Sequence, residues 1–148
     1  MTNKNPKIVF PAVRLFEVAC LLAMIGILVG CTGAGVLKAS LGQEVSLAIG
    51  QTAQLENEPL TVRFDAIAED SRCPINGECF WEGEVSCNVT AIHQGSPSAL
   101  TLTQRGLTRG PAETTYQAYR LIYNVEPYPK AGKHISTEDY RLNLTVEK

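Results

Sequence analysis

The sequence predicts an all-β fold, an antiparallel β-sandwich, following an N-terminal signal segment. Three observations carry this. From Val45 onward, apolar residues recur at every second position in six separate runs. Clusters of Gly, Pro and Asn punctuate those runs. No apolar stripe at helical spacing follows residue 43. Alternation with period two marks a strand with one face on a core and the other in water.

Residues 1–30 form the signal segment. Lys4, Lys7 and Arg14 precede an apolar run from Val18 to Val29, with Glu17 beside it. A membrane-spanning helix needs roughly 20 apolar residues and an export-signal core about 7–15, and this run matches the second. It ends in Leu28-Val29-Gly30-Cys31, which resembles the lipobox of bacterial lipoproteins. The resemblance implies cleavage after Gly30 and a lipid on Cys31, which places the protein in the cell envelope, anchored on the extracytoplasmic side of a membrane. Each buried CH₂ contributes roughly 0.8 kcal/mol, so two or three acyl chains make such an anchor effectively permanent. Thr32, in place of Asp, points to the outer membrane in a cell that has two. The competing reading is a plain signal anchor with a chance cysteine.

Residues 31–43 contain Gly33, Gly35 and Gly42 and few large apolar side chains. They read as a flexible tether, with a root-mean-square span of roughly 20 Å for a dozen such residues. The sandwich domain is expected over 44–148. Its alternating runs are Val45–Ile49, Val62–Ala68, Val85–Ala91, Leu100–Thr103, Tyr119–Val125 and Tyr140–Val146. Gly50, Asn57-Glu58-Pro59, Gly95-Ser96-Pro97, Gly106, Gly110-Pro111 and the segment from Pro127 to Gly132 supply the turns. Six or seven strands in about 105 residues favour a sandwich over a barrel, with an immunoglobulin-like arrangement among the options.

The chain has 13 basic and 15 acidic residues. Removing three basic and one acidic residue with the signal leaves 10 and 14, a net charge of −4. An acidic domain without a basic stripe is a poor fit to nucleic acid, whose phosphates demand clustered Lys and Arg. At 45% hydrophobic and 19% charged residues, the composition fits a folded domain rather than a disordered one.

Cys73, Cys79 and Cys87 remain in an exported domain, where disulfides persist. Of the three possible pairings, Cys73–Cys79 is favoured because it closes a loop holding Pro74, Asn76 and Gly77. Cys87 lies on an apolar strand face with Val85 and Val89 and reads as a buried free thiol. A zinc set of Cys73, Cys79, Cys87 and His93 is disfavoured. Six residues of strand put Cys87 and His93 about 20 Å apart, whereas ligands of one zinc must converge.

Asp70-Ser71-Arg72-Cys73-Pro74, then Cys79-Phe80-Trp81-Glu82-Gly83, resembles the motif of a group of small, uncharacterised bacterial lipoproteins. Val125-Glu126-Pro127-Tyr128-Pro129 is similar to the same group. The likeness extends from about Gly50 to the end and brings no activity with it. Cys87 falls outside the pattern.

Asp70, Arg72, Trp81 and Glu82 are the candidate binding loop. Cys79, Trp81, Gly83, Val85 and Cys87 share one parity, so a straight strand would send Trp81 into the core end beside the disulfide. The alternative is an exposed Trp81 acting as a binding platform. Asp70 is expected to cap a turn, and Arg72 to pair with Glu82 or Glu84 on the outward face. Glu69, Asp70, Glu78, Glu82 and Glu84 lack the spacing of a calcium loop and read as a solvated acidic rim. His93 and His134 fall in expected turns. Asn88-Val89-Thr90 and Asn143-Leu144-Thr145 match glycosylation sequons but lie within strands.

No Gly-x-Ser-x-Gly elbow, phosphate loop or Cys-x-x-Cys pair is present. Catalytic residues, a metal and a cofactor are therefore not expected. The favoured class is a non-enzymatic envelope module that binds a membrane through Cys31 and an envelope protein partner through its loops. An enzyme with a site scattered along the chain and a loop-based protease inhibitor are the alternatives.

Overall fold

A computed structural model of the chain describes residues 35–106 and 110–148. The signal segment and Cys31 lie outside the described residues. Among the described residues, nine strands form two sheets packed face to face. The strands are β1 (Val36–Ala39), β2 (Glu44–Ala48), β3 (Thr52–Leu55), β4 (Leu60–Asp70), β5 (Glu84–His93), β6 (Ser96–Arg105), β7 (Ala112–Tyr116), β8 (Tyr119–Glu126) and β9 (Arg141–Glu147). One sheet has the order β1-β3-β4-β5-β6 and the other β2-β9-β8-β7.

The expected sandwich is what forms, and all six alternating runs supply strands. The core lies between the sheets and is built from the predicted inward faces. Leu47, Phe64, Val85, Val89, Leu121, Leu142 and Leu144 are fully buried. The connectivity differs from the immunoglobulin option. Strands β3 to β6 and β7 to β9 are two plain meanders, without the Greek-key exchange of an immunoglobulin domain. The sheets are not wholly antiparallel either, because β1 pairs with β3 in parallel.

Three short strands escaped the sequence reading. The first corrects the tether expected over 31–43: Val36–Ala39 is strand β1, and Ala39 is buried in the core. The chain then crosses to the second sheet as β2 and returns as β3. Gly42 and Gly50 make these crossings with φ of 76° and 85°, a backbone region that glycine adopts without steric cost. A domain cut at residue 43 would strip β1 from β3.

Strand β4 carries two β-bulges, between Phe64 and Ala66 and between Ile67 and Glu69. Each inserts one residue and reverses the inward parity. Ile67, opposite Cys87, therefore packs on the core where Ala66 and Ala68 were expected. The second bulge restores the parity and turns Asp70 inward, opposite Val85.

Candidate functional site at the disulfide loop

The β4–β5 connection, residues 71–83, sits at one end of the sandwich. Its first residues continue the sheet. Ser71 N–H donates to the Glu84 carbonyl at 2.8 Å and Cys73 N–H to the Glu82 carbonyl at 3.0 Å. Gly83 has φ of 65°, and a Cβ there would lie 1.8 Å from the Ser71 carbonyl oxygen. Only glycine lets the two backbones approach this closely. Gly106 N–H donates to the Gly83 carbonyl at 2.9 Å, which ties in the end of β6.

Arg72 is buried, contrary to the surface pairing expected of it. Its side chain is 1% exposed, and that of Asp70 is 9% exposed. Arg72 Nε and Nη2 donate to the two Asp70 oxygens at 2.8 and 2.7 Å. Nη1 and Nη2 donate to the carbonyls of Val125 and Pro127 at 2.8 and 2.9 Å. The Tyr128 ring lies 5.0 Å from the guanidinium carbon, and Tyr140 O–H donates to Asp70 at 3.0 Å. Arg72 thus joins the end of β4 to the end of β8, across the two sheets. A buried guanidinium is stable only when its charge and N–H groups are met, and here a carboxylate, two carbonyls and a ring meet them. Asp70 also accepts from the Arg72 backbone N–H at 3.3 Å, the turn contact expected of it. Burial and the neighbouring Asp70 carboxylate push the Tyr140 hydroxyl up to about 12.

Gln104 repeats this stitch between β6 and β8. It donates to Asn124 at 2.6 Å and accepts from Val125 N–H at 2.9 Å. Sequence reasoning missed both polar clasps, because the partners on β8 and just beyond it lie 20 or more residues away and no spacing rule connects them.

Beyond Arg72 the loop is braced by the expected disulfide, Cys73–Cys79, with Cα atoms 6.0 Å apart. Ile75 N–H donates to the Pro129 carbonyl at 2.9 Å, and Ala131 N–H to the Ile75 carbonyl at 3.1 Å. These bonds fasten the loop to the neighbouring 127–140 segment. That segment forms a shallow cleft of about 420 Å³ with Tyr128, Lys130, Lys133, His134 and Asp139 among its walls.

Trp81 is not in the core. It is 74% exposed, and Phe80 beside it is 104% exposed. The shared parity does not carry the ring inward, because β5 begins only at Glu84 and Gly83, with its positive φ, breaks the alternation before it. The Arg72–Asp70 pair occupies the core end expected to hold the ring. Glu82 is half-buried behind Trp81, its carbonyl bonded to Cys73. Of the four candidate loop residues, the structure therefore makes Asp70 and Arg72 the brace and leaves Trp81 at the surface.

Cys87 is a free, fully buried thiol, and desolvation pushes it up to about 12, so it is not a nucleophile at neutral pH. His93 ends β5, with its ring edge-on to Tyr119 at 5.8 Å. It lies at the far end of the strand from the loop. Among the described residues, no three His, Cys, Asp or Glu side chains converge on a metal position. Comparison of the chain with protein-family models, curated proteins and solved structures finds no match.

Proposed function

We propose that this chain is a non-enzymatic binding module of the bacterial cell envelope, tethered through a lipid on Cys31 and making contact through the loop that carries Phe80 and Trp81. The Leu28-Val29-Gly30-Cys31 segment and the likeness to small lipoproteins support the tether. The observation that carries the contact surface is the exposure of two adjacent aromatic rings on a rigid support. An aromatic pair left in water forgoes roughly 1.5–3 kcal/mol per large ring that burial would supply. The disulfide, Gly83 and the Arg72 clasp hold the loop so that little ordering entropy is lost on contact. A braced, exposed loop is also what a protease inhibitor presents, so capture of a protease would assign that narrower role.

In-cell photo-crosslinking tests this reading. A photoreactive phenylalanine at position 80 should give adducts, and one at Gln117, on the opposite end of the sandwich, should not. Equal labelling at both positions would remove the loop as the contact surface.

A further inference from the structure

The geometry points to what this loop contacts: an uncharged saccharide chain, which stacks one sugar ring on Trp81 and lies along the outward face of β5 and β6. This rests on the contact role proposed above for the loop and adds the chemistry of its ligand.

The site is a groove of about 490 Å³ beside the loop, walled by Ser71, Trp81, Glu82, Gly83, Glu84 and Arg105. Glu84 and Arg105 sit directly opposite each other on β5 and β6, so their Cβ atoms are about 5 Å apart. Val85 and Gln104, the next pair along, are buried, which turns Glu84 and Arg105 outward. Two more outward pairs continue the row. The Ser86 and Thr103 hydroxyls are 3.0 Å apart, and the Thr101 hydroxyl donates to Asn88 Oδ1 at 3.2 Å. From Glu84 to Asn88 is four residues of strand, about 14 Å. The groove therefore opens onto a polar track with one exposed aromatic ring at its end.

That combination fits a sugar. The flat side of a pyranose ring carries C–H groups, which pack on the negative face of an indole. Its rim carries hydroxyls, each both donor and acceptor. The carboxylates of Glu82 and Glu84 accept from such hydroxyls and the Arg105 guanidinium donates to them. The track offers further hydroxyls and an amide to neighbouring rings. Two carboxylates against one guanidinium in the groove disfavour an anionic chain. A protein interface needs an apolar core, and none of the side chains in the outward row is apolar. The groove is also preformed, because the Ser71 hydroxyl accepts from Glu84 N–H at 3.2 Å and Gly106 N–H holds the Gly83 carbonyl.

Trp81 is the only tryptophan in the chain, so its emission reports this groove alone. The full chain, processed by cells and held in a detergent without a sugar headgroup, is titrated with cellohexaose, maltohexaose, N-acetylated chitohexaose and polygalacturonate. The inference predicts a saturable blue shift with at least one neutral oligosaccharide and none with polygalacturonate. Calorimetry then reads the variants. Trp81→Ala and Glu84→Ala should each weaken binding roughly tenfold or more, and Gln117→Ala should leave it unchanged. Both groove side chains are exposed, so the urea midpoints of these variants should match the parent. No shift with any neutral oligosaccharide overturns the inference, and so does binding that Trp81→Ala leaves intact. Polygalacturonate binding as tightly overturns the uncharged chain. Crosslinking from position 80 in cells keeps the two claims apart. A protein adduct without a saccharide shift overturns the saccharide and leaves the loop as the contact surface. Neither adduct nor shift overturns both.

Discussion

Arg72 and Asp70, two residues apart in sequence, face each other through two hydrogen bonds of 2.8 and 2.7 Å while Arg72 reaches 53 residues further along the chain to the Val125 carbonyl. One side chain therefore links both sheets at the end that presents Phe80 and Trp81. Removing either charge leaves the other buried and unpaired, which costs about 3–5 kcal/mol. Arg72→Ala and Asp70→Asn should each lower the urea midpoint by a large fraction of the total stability. Arg72→Lys should rescue little, because an ammonium cannot span a carboxylate and two carbonyls as the planar fork does. Equilibrium unfolding in urea checks the order.

Gly83 gives a second test. A Cβ there would meet the Ser71 carbonyl oxygen at 1.8 Å, whereas at Gly95, with a comparable φ of 80°, it would meet nothing within 4 Å. Gly95→Ala should cost only about 1–2 kcal/mol for the left-handed backbone. Gly83→Ala adds a backbone clash and should cost several times more or prevent folding. Thermal melts of the two variants, run side by side, measure the difference.

The disulfide closes a loop over a separation of six residues. In the chain-entropy model it contributes roughly 2–3 kcal/mol. Cys73→Ser/Cys79→Ser should lower the melting temperature and keep the strands. Since Trp81 is already 74% exposed, its emission in the water-soluble chain should stay at long wavelength in both forms. A blue-shifted parent spectrum that moves red in the variant would place the ring in a pocket instead.

Alkali should weaken the fold through one buried group and one half-buried one. Cys87 rises from 9.0 to about 12 and Tyr140 from 10.0 to about 12, both chiefly by desolvation. Each raised group stays protonated in the folded chain over a range where the unfolded chain has lost the proton. Its contribution is therefore complete below the unfolded value and is lost as pH climbs toward about 12. Stability should be flat up to about pH 9 and then fall, and Cys87→Ala with Tyr140→Phe should flatten the fall. Denaturant melts across pH 8–11 supply the reading. Cys87 should also resist thiol reagents until the chain is unfolded.

The long strands were legible because each carries apolar residues at every second position, as Tyr119, Leu121, Tyr123 and Val125 do on β8. Strands β1, β3 and β7 span only four or five residues, too few for alternation to stand out from chance. Lysine at position 38 and three nearby glycines made β1 read as linker. The Cys73–Cys79 pairing could be read from loop chemistry, since Pro74, Asn76 and Gly77 describe a tight turn. The placement of Trp81 could not. It hinges on Gly83 adopting a positive φ because Ser71 passes over it, and Ser71 is twelve residues earlier in the chain. The burial of Arg72 is illegible in the sequence for a related reason. A charged residue beside a disulfide reads as surface unless the carbonyls of Val125 and Pro127 and the ring of Tyr128 are known to surround it.

The tether is the claim on which the functional account turns, and the N-terminal peptide of the mature protein tests it most directly. Protease digestion and mass spectrometry of protein from a bacterial membrane fraction should yield a peptide that begins at Cys31 and carries a diacylglyceryl group, with or without a further acyl chain on its amine. Labelling with a fatty-acid analogue should disappear in Cys31→Ser. A mature chain that retains Leu28-Val29-Gly30 ahead of an unmodified Cys31 would contradict the account.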